Sequence, residues 1–184
     1  AALVVHDNDR SFAYYKRGLD FLGSDCEDRR RQQLLEHLGK VQTLVGDYSG
    51  ARQSFRETLE QCKDRLGALD QGRLYRLLGE VEGRCGDYDE ALQCYSIGTR
   101  QLGREMRSQE GAKLLAATAS IYSKKGLYDL AINFCESGLD LLSGFPEEDD
   151  TAAIRMILGA AREFKGDLKP AAREFELSLA LRRR

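Results

Sequence analysis

The sequence has no tryptophan, only two prolines and only two histidines among its 184 residues. Asparagine is nearly absent, with Asn8 and Asn133 alone. The longest apolar run, Ala1 to Val5, is about a quarter of the length that crosses a bilayer. It has no basic stretch before it, so it does not read as a secretory signal. A dominant charge is also lacking. The 28 basic and 30 acidic side chains leave a net charge of −2, which removes any global attraction to nucleic acid or an anionic membrane. The five cysteines (Cys26, Cys62, Cys85, Cys94 and Cys135) are odd in number and never spaced as Cys-x-x-Cys. With only His6 and His37 to assist, neither a disulfide framework nor a zinc site follows. They read as reduced thiols packed as small apolar residues, which fits a cytoplasmic protein. No metal or cofactor is expected. The opening alanine is what a fragment of a longer protein would show.

Glycine is abundant instead, with 18 residues, yet 42% of the chain is hydrophobic and no Gly-X-Y period appears. Flexible and collagen-like chains are thereby excluded. The glycines recur in register. Gly46-Asp47-Tyr48, Gly86-Asp87-Tyr88, Gly126-Leu127-Tyr128 and Gly166-Asp167-Leu168 begin 40 residues apart. The same shift aligns Gly39, Gly79, Ala119 and Gly159, an aromatic column of Tyr15, Phe55, Tyr95, Cys135 and Phe175, and a small-residue column of Gly18, Thr58, Gly98, Gly138 and Ser178. Leu34, Leu74, Leu114 and Ile154 form an aliphatic column, and Ser11, Ala51, Ala91, Ala131 and Ala171 another small one. Around each turn the apolar residues follow helical spacing, as in Leu34, Leu35, Leu38 and Val41 before it and Ala51, Phe55, Leu59 and Cys62 after it. The turn glycine ends one helix, and Asp47, Asp87 or Asp167 is placed to cap the next. Pro170 falls in a helix first turn, where its missing donor does no harm. Glycines inside the helices let paired backbones approach, which offsets the roughly 1 kcal/mol each costs against alanine.

These columns identify the chain as similar to the tetratricopeptide repeat (TPR) family. One copy reads Leu35-x-x-Leu38-Gly39…Gly46-Asp47-Tyr48-x-x-Ala51…Phe55-x-x-Thr58 and the next Tyr75-x-x-Leu78-Gly79…Gly86-Asp87-Tyr88-x-x-Ala91…Tyr95-x-x-Gly98. The spacing of 40 exceeds the family's usual period of about 34, which predicts longer helices. It resembles the repeats of spindle-orientation adaptors and the helical sensor regions of large bacterial signalling ATPases and transcription activators. The third copy departs at Thr118 and Ala119, the fourth at Arg155 and Leu168. The resemblance implies an all-α, right-handed superhelix of antiparallel helix pairs with about four and a half repeats. They divide a single array over 1–184 into a half repeat at 6–23 and repeats at 27–66, 68–106, 108–144 and 150–182. The last helix is apolar on more than one side and is expected to meet a further repeat or a partner. In isolation it would self-associate.

Function is implied at the same level. In the family the first helix of each repeat lines a concave groove that binds peptides, so the expected role is a protein-interaction module, a scaffold or adaptor. The competing reading is a regulatory or oligomerisation segment of a larger signalling ATPase, kinase or transcription regulator. Matching each copy to the repeat pattern places Glu36, Lys40, Arg73, Arg76, Glu80, Arg84, Lys113, Ser120, Lys124, Met156 and Ile157 in the groove, with Gln33 and His37 beside them. Its middle is basic, and arginines three apart share a helix face and grip carboxylates. The expected partner is a protein or peptide, acidic, with an apolar anchor at Met156 and Ile157. The clamp with which co-chaperone arrays hold a C-terminal carboxylate is not matched, since Leu77 stands at its asparagine position and Glu36 at its lysine position. An enzyme reading finds no support. Gly79, Gly83 and Gly86 lie in helical pattern without the strand a phosphate loop needs. His37 has no paired acid or nucleophile. RNA binding lacks aromatics interleaved with the basic residues.

Overall fold

The computed structural model describes residues 2–22, 29–61, 65–145 and 148–183. Cys26, Cys62, Pro146 and Glu147 lie outside these. Among the described residues are nine α-helices and no strand. Helix α1 (Ala2–Leu22) precedes four pairs: α2 (Arg29–Val45) with α3 (Tyr48–Gln61), α4 (Ala68–Cys85) with α5 (Tyr88–Leu102), α6 (Gln109–Lys124) with α7 (Tyr128–Leu142), and α8 (Glu148–Lys165) with α9 (Leu168–Arg182). A 3-10 turn at Gly103–Met106 leads from α5 to α6.

The four turns within pairs use one device. Gly46, Gly86, Gly126 and Gly166 have φ of 85°, 91°, 75° and 97°, a left-handed backbone that carries no penalty without a Cβ. The Asp87 N–H then donates to the Glu82 carbonyl at 3.0 Å, Leu127 N–H to Tyr122 at 2.9 Å and Asp167 N–H to Arg162 at 2.8 Å. This closes the helix end and reverses the chain. Capping by the aspartates is realised only once. The Asp47 carboxylate accepts from the Gly50 N–H at 2.9 Å, but the side chains of Asp87 and Asp167 cap nothing. Their backbones sit near φ −81° and ψ 67°, and −82° and 62°, in the inverse γ-turn region. Ser108 is extended at φ −148° and ψ 165°, and its hydroxyl does accept from the Gly111 N–H, as an N-cap requires. Helix α1 also departs from the register. It runs unbroken through His6 and Asp7, where the other repeats turn, because His6 replaces the glycine and every positive φ recorded belongs to glycine.

Within three of the four pairs a ring of the second helix rests on a glycine of the first. A Cβ added to Gly39 would lie 2.6 Å from the Phe55 ring, and one on Gly159 2.6 Å from Phe175. On Gly79 it would enter the Tyr95 ring and lie 3.0 Å from the Ala91 carbonyl oxygen. The third pair inverts the sizes. Ala119 fills the glycine column and Cys135 the aromatic one, both fully buried in one cluster. Between pairs, Leu114 and Ile154 press on Gly98 and Gly138, where an added Cβ would lie 3.2 Å from each. Leu74, Leu114 and Ile154 are all but sealed from water, and each such burial stabilises the array by about 2 kcal/mol. The core is therefore continuous along the stack, each pair resting on the next.

Another column joins the helices of a pair. The Ser54 hydroxyl donates to Gln42 at 2.7 Å, Phe134 stacks on Tyr122 with centroids 5.4 Å apart, and Arg162 donates to Glu174 at 2.8 Å. Arg155, which replaces a bulky apolar residue, donates to the same buried Glu174 at 2.6 Å. On α9, Leu168 is 65% exposed and Leu179 49%; their counterparts Tyr128 and Leu139 are partly buried.

Two outcomes follow. Gly79→Ala should lower the free energy of unfolding by about 2 kcal/mol in urea titrations, because the methyl displaces a ring against backbone. Gly144→Ala, where an added Cβ meets nothing within 4 Å, should change it by less than about 0.5 kcal/mol. Burial pushes the thiol of Cys94 up to about 11 and that of Cys135 up to about 12, whereas Cys85 is exposed. Iodoacetamide at pH 8 should therefore modify Cys85 and spare Cys94 and Cys135 in the folded chain, read by peptide mass mapping.

Candidate partner-binding groove

Helices α2, α4, α6 and α8 stand side by side, and each brings the same helical face to one surface. Between α4, α6 and α8 this surface forms a groove of about 680 Å³. Arg76, Glu80, Arg84, Lys113, Ser120, Lys124 and Ile157 all line it, so the structure brings together seven of the expected site residues. Its floor is apolar, from Ala116, Ala117, Ile121, Ala153 and Ile154. Met156 is 42% exposed on α8 and lies outside the groove lining. Glu36, Lys40 and Arg73 form a separate cluster between α2 and α4. Glu36 is buried, Lys40 donates to it at 2.6 Å, and Arg73 lies 3.1 Å from it.

The basic character expected of this surface is largely neutralised. Asp70, Glu110 and Asp150 occupy one 40-residue column, each in the first turn of its helix. Arg73 pairs with Asp70, and Arg76 reaches from α4 to Glu110 on α6 as well as to Glu80. Lys113 lies 3.3 Å from Asp150 on α8, to which Gln109 also donates at 2.7 Å. Sequence reasoning missed these three acids as groove residues. Their signal was present, since acids collect in helix first turns where the macrodipole favours them and these fall one repeat apart. Arg84 and Lys124 have no carboxylate partner among the described residues. Both are exposed at the C-terminal ends of α4 and α6, with the Lys124 ammonium 5.8 Å from the Tyr88 ring centre.

Glu82, Cys85 and Asp87 bring three potential metal ligands within 4.8 Å of one another. Arg52 already donates to both Glu82 oxygens at 2.8 and 2.6 Å, and to the Cys85 sulfur at 3.7 Å. The guanidinium thus supplies the positive charge that an ion would bring. Among the described residues no helix is long and apolar enough to cross a membrane.

No family model and no curated protein matches the sequence. Solved structures do resemble the fold. BtubC (BKLC) from P. vanneervenii superposes with a TM-score of 0.75 at 19% identity, over 97% of this chain and 72% of that one. YrrB, a TPR protein with an unusual peptide-binding site, gives 0.57 at 16% identity, over 97% and 79%. A Podosopora anserina kinesin light chain with nearly identical TPR-like repeats gives 0.62 at 14% identity, over 95% and 83%. At such identities the likeness speaks for the fold. The chain has the all-α TPR-type superhelical repeat fold that its columns imply.

Arg76 shows how strongly the groove floor is tied. Its side chain is 13% exposed and that of Glu110 12%. Burial works against the guanidinium charge, but Glu80 and Glu110 outweigh it and raise its pKa above the usual arginine value. Removing the α6 partner leaves a largely desolvated cation with one acid. Glu110→Gln should therefore destabilise the chain by about 2 kcal/mol in urea titrations. Glu80→Gln, whose side chain is 40% exposed, should cost less than about 1 kcal/mol.

Proposed function

We propose that this chain is a protein-interaction module that holds a partner segment in the groove between α4, α6 and α8. The observation that carries the reading is the groove's make-up. An apolar floor of alanines and isoleucines lies beside two cations, Arg84 and Lys124, that no described carboxylate satisfies. The fitting ligand is an extended or helical peptide with an aliphatic anchor over Ile157 and an acidic group toward Arg84 and Lys124. Arg73 and Arg76 are not its grip, because both are engaged by acids of the array. The peptide-binding site of YrrB, a structure of the same fold, is in keeping with this reading.

Phage-displayed peptides selected on the chain test it. Selected sequences should carry Asp or Glu near an aliphatic residue. The double variant Arg84→Glu with Lys124→Glu should weaken their binding about tenfold or more, a loss of about 1.4 kcal/mol. Arg73→Gln should leave binding within about twofold once its fold is verified. Peptides without acids, or equal binding to the double variant, would sink the assignment of this groove.

A further inference from the structure

Around the turn of the third pair, three columns of the repeat carry large apolar residues where the second pair carries charge. Leu127 takes the place of Asp87, and Leu130 that of Glu90. Phe164, on the first helix that follows, takes the place of Arg84 and Lys124. All three remain in water, Leu127 at 45% exposure, Leu130 at 42% and Phe164 at 68%. This exposure belongs to the columns and not to the last pair. Arg84, Asp87, Glu90 and Lys124 are exposed too, although pairs pack on both sides of theirs.

The three gather around Tyr128. Leu127 immediately precedes it, and Leu130 stands one turn beyond Leu127. The Phe164 ring stacks on the Tyr128 ring, with centroids 5.8 Å apart and planes 12° apart. One repeat earlier the same seat holds a cation, with the Lys124 ammonium 5.8 Å from the Tyr88 ring centre. The fold therefore does not require apolar residues here, since the second pair makes the same turn with Asp87 and Glu90. Apolar side chains gathered in water gain free energy only when something covers them.

Position ties this patch to the groove between α4, α6 and α8. Phe164 lies seven residues beyond Ile157 on α8, so the two share a helix face about 10 Å apart. Ile157 lines the groove, and so do Arg84 and Lys124. The acids near the patch do not compete for these cations. Asp129 lies 2.6 Å from Lys165 and Asp167 4.0 Å from it. Glu163 stands exposed beside Phe164 on α8. A partner's carboxylates are thus drawn toward α4 and α6 and turned away from α8.

We infer that the partner segment carries two apolar anchors. Past the anchor over Ile157 it follows α8 and sets a second residue, aromatic or long aliphatic, on the patch of Phe164, Tyr128, Leu127 and Leu130. Its acids face Arg84 and Lys124. This rests on the groove reading above and extends it. The two anchors stand about three residues apart in an extended segment and about seven in a helix.

The test uses phage-displayed random peptides of about 16 residues, long enough for either spacing. They are selected on the full chain and, in parallel, on the variant Leu127→Asp with Leu130→Glu and Phe164→Lys. Each substitution borrows the residue that another repeat uses at that place, so helicity and the urea midpoint should be retained. If they are not, Phe164→Lys alone carries the same expectation. Peptides from the full chain should show two apolar residues at one of those spacings together with acids. Those from the variant should keep the acids and lose the second anchor. In fluorescence anisotropy with the tightest labelled peptide, the variant should bind at least tenfold more weakly. Alanine at the peptide's second anchor should weaken binding to the parent chain equally and to the variant by less than about twofold, as groups in contact require. Undiminished binding to the variant, or losses that simply add, would overturn the inference. Binding lost in Arg84→Glu with Lys124→Glu but kept in the patch variant would sink the second anchor alone. Binding kept in that charge variant would sink the groove assignment and the inference with it. A dimer of the chain that the patch variant dissociates would also overturn the inference, since a second copy would then cover the patch.

Discussion

A ring resting on a glycine sets the distance between the two helices in three of the four pairs, an alanine beneath a cysteine does so in the third, and the geometry of the array descends from that distance. With Phe55 on Gly39, Tyr95 on Gly79 and Phe175 on Gly159, the backbones stand as close as a ring's thickness allows. Leu114 and Ile154, on the first helices of their pairs, then rest on Gly98 and Gly138 of the pair before. The resulting step from pair to pair decides how far apart α4, α6 and α8 stand, and hence how wide the groove between them is. The glycines are costly as helix residues, and what they give in return is room for a ring, since an added Cβ at Gly39, Gly79 or Gly159 would lie within 2.6 Å of one.

Charge acts on this frame as a secondary fastening. Ion pairs run from one repeat to the next on the groove surface through Glu36 and Arg73, Arg76 and Glu110, and Lys113 and Asp150. On the turn edge they run through Lys125 and Asp89, then Lys165 and Asp129, the second pair one full repeat after the first. The edge pairs involve nearly free aspartates, so water screens them and they add little. The groove pairs are more deeply set and hold neighbouring first helices in register. Their other effect is on recognition. Cations already engaged offer a ligand little, so the residues available for a partner are those the array leaves alone.

The fold was legible because its determinants are steric and local. A positive φ at Gly86 admits essentially one residue type, and a ring on a helix backbone admits glycine or alanine. Both therefore stamp the sequence once per repeat. The groove was half legible. Its lining at Arg76, Glu80, Lys113 and Ser120 could be placed by register alone, but its charge could not, because Arg76 and Glu110 are 34 residues apart and Glu36 and Arg73 are 37. Those separations arise from how one pair leans on the next, a property of the stack that no single repeat displays. The aspartate caps failed for another reason. Residue type suited Asp87 and Asp167 as well as Asp47, but after the same glycine turn only the Asp47 carboxylate turns onto its helix end, a choice of side-chain rotamer that residue type does not reveal.

The third pair carries one further consequence. Ala119 and Cys135 stand where the other pairs have glycine and an aromatic ring. To pass from one arrangement to the other, a chain must change two residues 16 positions apart. Shrinking the ring first opens a void beneath the glycine, and adding the methyl first drives it into the ring. Either intermediate is less stable than both ends of the path. The repeats of this array are thus not free to drift one substitution at a time at this point. The unit that tolerates change here is the pair, so α6 accepts Ala119 only together with Cys135 on α7.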